Sequence, residues 1–207
     1  MDCSNHGYTR KYFELGTLAA RQGHFEVLKW FHLNGLVINA WTSRSAAKSG
    51  NLELLQWVKD NGFPPDKETC SAAINSKQLH ILKWAIENGC KMDDSLCMHA
   101  ALCGNVEVLQ WAKESGVEMP TQLYRKAAQH GNLSVLKWLQ KEGLTINLEF
   151  VVSTVLEKTD PRPNRRRPIL QKHMQERFEE TKKWLLEEFA DVVANTPPSS
   201  RYFDDYC

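Results

Sequence analysis

Five tryptophans, Trp30, Trp57, Trp84, Trp111 and Trp138, follow one another at intervals of 27 residues. A second column in the same frame holds Gly35, Gly62, Gly89, Gly116 and Gly143, so five segments share one length with no insertion or deletion between them. A period of that size marks one supersecondary unit repeated along the chain, each copy burying its apolar face on its neighbours.

Laid over one another, the units read GHFEVLKW from Gly23, GNLELLQW from Gly50, KQLHILKW from Lys77, GNVEVLQW from Gly104 and GNLSVLKW from Gly131. Counted from the first of these residues as zero, positions 2, 4, 5, 7 and 8 are apolar in every unit, and positions 3, 6 and 10 are mostly polar or charged. At 3.6 residues per turn that pattern forms one apolar stripe, which predicts the second helix of a helical pair. The glycine column sits where such a helix ends, in the left-handed backbone that costs a residue without Cβ least. His24, Asn51, Gln78, Asn105 and Asn132 stand at its start, and asparagine there is a good N-cap.

A shorter first helix is predicted ahead of each second one. Asn39, Asp66, Asp93 and Asn147 stand ready to cap it, with Thr121 replacing the proline that occupies the column at Pro120. It carries the small pairs Ala19-Ala20, Ala46-Ala47, Ala100-Ala101 and Ala127-Ala128, with Ala73-Ile74 in the third unit, which let two helices approach closely. Helical pairs of two to three turns bury no core alone, so the expected fold is all-α, a solenoid of stacked helix-turn-helix units.

The stretch TLAARQGHFEVLKWFHLNG, Thr17 to Gly35, resembles the ankyrin repeat in its LAA segment, the GH opening the second helix, the VL pair and the closing NG. The resemblance covers residues 17 to about 157. An ordinary ankyrin unit is about 33 residues long and begins TPLH; these units have 27 and lack that tetrapeptide, the missing residues falling where the family builds its β-hairpin finger. Short tryptophan-bearing units of this kind are similar to ankyrin-like repeats of giant DNA viruses and some protists.

The frame divides the chain. Residues 1–16 form an N-terminal cap segment using Tyr12, Phe13 and Leu15, and 17–157 hold five full units and the start of a sixth, with Val151 in the column of Cys70 and Cys97. The sixth tryptophan is due at position 165 but comes at Trp184, after the basic, proline-rich insertion 158–169. A long capping helix is expected over 170–193, with Met174, Phe178, Thr181, Leu185, Phe189 and Val192 on one face, and a flexible tail over 194–207.

No catalytic constellation departs from the repeat. There is no phosphate-binding GKS or GKT loop and no GxGxxG run, and the seven histidines are dispersed. Cys70, Cys97, Cys103 and His99 lack the paired close spacings of a zinc module, and Cys70 and Cys97, one repeat apart on successive first helices, read better as small buried thiols. No catalytic residue, metal ligand, cofactor or small-molecule substrate is therefore assigned. With 26 basic residues against 25 acidic, whole-chain charge gives no case for nucleic acid or an acidic membrane. No stretch approaches the roughly 20 apolar residues of a membrane span, and no secretory signal opens the chain. The expected setting is intracellular, cytoplasmic or nuclear, and the expected state a monomer.

The tryptophan ladder is expected to pack from unit to unit. Binding specificity should sit where units differ: Arg44 and Lys48, Ser71 and Asn75, Met98 and Leu102, Arg125 and Gln129 on the outer sides of successive first helices. The ankyrin resemblance implies that these form a concave ribbon; its basic ends flank a polar and apolar middle, which suits an extended acidic-aliphatic peptide or a protein surface. Arg165, Arg166 and Arg167 offer a second contact, a nuclear-import signal or simply a solvated loop. The leading expectation is a non-catalytic interaction scaffold. The alternative is a substrate-recruiting adaptor of a larger enzyme such as a ubiquitin ligase, although the N-terminal segment carries no recognisable F-box.

Overall fold

A computed structural model describes residues 15–35, 40–144, 146–159 and 172–195. Among them all regular structure is helical. Helix α1 covers 15–21, followed by α2 (Phe25–Leu33), α3 (Ala40–Ser49), α4 (Leu52–Asp60), α5 (Lys67–Asn75), α6 (Leu79–Glu87) and α7 (Asp94–Cys103). Then come α8 (Val106–Glu114), α9 (Leu123–Gln129), α10 (Leu133–Lys141), α11 (Leu148–Thr159), α12 (Lys172–Glu188) and α13 (Ala190–Asn195). Neighbouring helices pack on one another within two compact units, Met1–Leu96 and Cys97–Cys207. No helix among the described residues is long and apolar enough to cross a membrane. Tyr12, Phe13, Asn39, the insertion from 160 to 169 and the tail from 196 lie outside the described residues.

In the first unit α3 packs against α4 and α5, and α5 against α6. Ala46, Ala47 and Ala73 are fully buried there, the small side chains permitting the close approach. Positions 4, 5 and 8 of the repeat supply the core, as Leu54, Leu55 and Val58 on α4 and Ile81, Leu82 and Ala85 on α6. Each Leu or Ile so buried contributes about 1.5–3 kcal/mol. The buried stripe is narrower than the apolar pattern: position 2 is a rim, with Leu52 still 40% exposed.

Helix ends follow local chemistry. Asp66 and Thr69 form a reciprocal capping box on α5, and Asn51 Oδ1 accepts from Leu54 N–H at 2.9 Å. Asp93 Oδ1 likewise takes Leu96 N–H, and Asn147 Oδ1 takes Phe150 N–H, each at 2.9 Å. Thr121 does not cap. α9 begins two residues later than the frame expects, at Leu123 behind Gln122, which makes no side-chain cap bond, because Pro120 displaces the start of the helix. Lys77 replaces glycine at a turn where φ is +56° and is the one described non-glycine with positive φ. Lys77→Gly is therefore expected to raise the unfolding free energy by about 0.5–1 kcal/mol; a loss in chemical denaturation would show that the turn carries no relievable strain.

In the second unit α9 packs on α10 and α11, and α12 on α10 and α11. Phe178, Thr181, Trp184 and Leu185 of α12 are buried. The stretch expected as one helix over 170–193 is divided: α12 and α13 meet at Phe189, whose ring lies edge-to-face on Trp184 at 5.4 Å. Phe189 N–H still bonds Leu185 O and its carbonyl still accepts from Val193, so helical bonding passes through while α13 settles on α11 and α12.

One contact recurs across units. A Cβ placed on Gly50 would lie 2.9 Å from the side chain of Gln78, on Gly104 2.9 Å from Asn132 Oδ1, and on Gly131 3.2 Å from Phe178 Cδ1. Gln78, Asn132 and Phe178 each stand six residues before a tryptophan, Trp84, Trp138 and Trp184. Despite the 19 added residues, α12 docks in the register of a second helix.

Candidate functional site

In the first unit, the outer side of the first helices presents Arg44 and Lys48 from α3 and Ser71 and Asn75 from α5, with Lys48 and Asn75 exposed and Arg44 and Ser71 half-buried. Arg44 is not a free basic end. Its Nη2 donates to Glu68 Oε2 at 2.6 Å, and its guanidinium lies 4.4 Å from the centre of the Trp41 ring. Beside it α3 buries three small hydroxyl side chains, Thr42, Ser43 and Ser45. Asp93 is bound by Lys67 of the preceding first helix at 3.1 Å. Partial burial works against its charge, but hydrogen bonds from Ser95, Leu96 N–H and Lys67 outweigh that and hold its carboxyl below the usual value.

In the second unit Met98, Leu102, Arg125 and Gln129 are all half-buried. Arg125 places its guanidinium 5.0 Å from the Phe150 ring, which Tyr124 meets edge-on at 5.9 Å. Leu102 is fixed through its backbone: Asn132 Nδ2 donates to the carbonyls of Ala101 and Leu102, both at 2.7 Å. Asn132 thus joins one unit to the next instead of capping α10, whereas Asn105 does cap α8 through Val108 N–H. Arg44 and Arg125, expected to await a partner, are thus part-occupied within the chain. Arg165, Arg166 and Arg167 lie outside the described residues.

The ladder is graded. Trp138 is 7% exposed, Trp57, Trp84 and Trp111 are half-buried, and Trp30 is 60% exposed. Trp57 meets two rings of the preceding second helix edge-on, Phe25 at 5.5 Å and His32 at 5.4 Å. Beside this contact opens a groove of about 700 Å³ lined by Phe25 and Lys29 of α2, Leu52, Glu53, Gln56, Trp57 and Asp60 of α4, and Trp84. The groove was not foreseen in the sequence. Its signal is that Glu53, Trp57 and Asp60 are spaced by four and three residues and so share one face of α4.

Cys70 and Cys97 are fully buried and Cys90 and Cys103 half-buried, all as free thiols. Burial, and then the hydrogen bond it shares with Cys90, pushes the Cys70 thiol far above its ordinary range; Cys90, itself raised by burial, donates to Pro65 O at 3.3 Å. Thiols held protonated in this way are poor nucleophiles. Among the described residues no three His, Cys, Asp or Glu side chains converge as metal ligands. Comparison of the chain with protein-family models and with curated proteins finds no match.

Proposed function

We propose that the chain is an ankyrin-like solenoid acting as a non-catalytic scaffold, whose outward first-helix side chains bind a protein or peptide. One observation carries this reading: buried columns repeat while outward ones do not. Ala46, Ala73, Ala100 and Ala127 are all fully buried in equivalent places, whereas the outward places hold Arg44, Ser71, Met98 and Arg125. Repetition inside serves packing, and variation outside is where a repeat array stores specificity. Arg44 and Arg125, steadied on Trp41 and Phe150, are pre-ordered cations that lose little freedom on meeting a carboxylate, since Arg44 spends one nitrogen on Glu68 and keeps further N–H donors.

Proximity labelling in the native cell tests each unit by itself. Arg44→Glu with Lys48→Glu alters the first unit, Leu102→Glu with Arg125→Glu the second, and Lys141→Glu serves as control, after circular dichroism has shown that each variant folds. At least one paired variant should lose a defined set of protein neighbours by about tenfold, equivalent to about 1.4 kcal/mol, while the control keeps it. Unchanged neighbours in both would overturn the first-helix assignment.

A further inference from the structure

We propose that the groove between α2 and α4 is a second binding site, independent of the first-helix faces, for an extended basic peptide carrying two arginines three positions apart. Charge is the first argument. Lys29, the groove's cation, is held by Glu26 at 2.9 Å and lies 4.0 Å from the centre of the Phe25 ring. Glu53 and Asp60 are exposed, and no cation among the described residues pairs with either; Asp60 accepts only from Gln56 Nε2, at 3.1 Å. With Lys29 neutralised, the groove offers two negative charges to its ligand.

Aromatic chemistry is the second argument. An ammonium already rests on one ring of the groove, so this wall accepts cations, and the indoles of Trp57 and Trp84 are stronger cation acceptors than phenyl. Trp57 lies between the two carboxylates along α4. A planar guanidinium is the group that can lie on an indole and fork to a carboxylate at once, which a compact ammonium cannot do.

Spacing sets the peptide. Glu53 and Asp60 are seven residues apart on α4, about 10.5 Å at 1.5 Å per residue. A peptide in the extended polyproline II conformation comes close to that distance in three residues at about 3.1 Å each, and its three residues per turn bring positions three apart onto one face. One arginine then pairs with Glu53 and the other with Asp60, leaving the residues between them to cross Gln56 and Trp57, which lie between the two carboxylates along the groove. An open groove of about 700 Å³ takes such a segment laid across it.

The test is fluorescence polarisation with the full chain and a fluorescein-labelled nonapeptide bearing two arginines three positions apart with leucine between them. Twin peptides carry citrulline or lysine in place of both arginines. The arginine peptide should bind at least about tenfold tighter than the citrulline twin and a few-fold tighter than the lysine twin, with salt weakening it. Glu53→Gln with Asp60→Asn should weaken it about tenfold or more, and Trp57→Leu, checked for folding by circular dichroism, by a similar factor. Equal binding by the citrulline twin, or unchanged binding by the charge-neutral variant, would overturn the site. So would a chain that ignores the peptide yet sediments as a dimer dissociated by the same substitutions, since a second copy would then fill the groove. Because Arg44, Lys48, Leu102 and Arg125 are untouched, failure here leaves the first-helix reading standing, and the reverse holds as well.

Discussion

Truncating Trp138 to alanine is expected to cost about 3–5 kcal/mol of unfolding free energy, whereas the same change at Trp30 costs less than about 1 kcal/mol. The two residues occupy one column of the repeat, yet Trp138 is 7% exposed and Trp30 60%. A half-buried ring with rings of the preceding second helix on its edges, as Trp57 has in Phe25 and His32, should fall between them. Trp57 leans on the repeat before it through Phe25 and His32, whereas Trp30 belongs to the first repeat. Trp138 Nε1 is buried without an acceptor among the described residues, so the indole contributes through packing alone and Trp138→Phe should retain most of the stability. Chemical denaturation of the three variants, followed by far-ultraviolet circular dichroism, measures this directly. Equal losses at Trp30 and Trp138 would mean that the ladder is an intrinsic feature of each helix and not a contact between units.

The same gradient shows what periodicity reveals and what it hides. Aligned columns disclosed the helical pairs, their glycine stops, and the core positions that became Leu54, Leu55 and Val58, because burial within a repeat is a property of the column. They were silent on contacts that cross columns. Arg44 and Glu68 are 24 residues apart, and Arg125 reaches Phe150; in a frame of 27 neither pair stands in one column, so both arginines read as free. Asn51 and Asn132 are the same letter in the same column, but one caps its helix and the other reaches two carbonyls of α7, the first helix of the repeat before. The groove is harder still to foresee. Phe25, Trp57 and Trp84 each looked like core and Glu53 like an ordinary solvated charge; only their juxtaposition across helices makes a concavity with an acidic, aromatic wall.

The second large effect tests whether α12 truly takes the register of a second helix. Gly131 has φ of +62°, and a Cβ there would stand 3.2 Å from Phe178 Cδ1 and 3.3 Å from Phe178 N. Gly131→Ala should therefore cost about 2–4 kcal/mol, about 1–2 from the left-handed backbone and the rest from overpacking. Phe178, 1% exposed, should cost about 3–5 kcal/mol when cut to alanine. The two losses should not add. Removing the ring opens the space that the new methyl needs, so the double variant should fall short of the sum by about 1 kcal/mol, with the backbone part of the Gly131 penalty and the nearby Phe178 N–H keeping the relief incomplete. Thr181 Oγ1 lies 3.4 Å from Gly131 O, much as His80 Nε2 lies 3.3 Å from Gly50 O, so α12 retains a polar anchor on this turn when the ring is gone. A double-mutant cycle by chemical denaturation reads the coupling; strict additivity would show that Phe178 does not rest on Gly131.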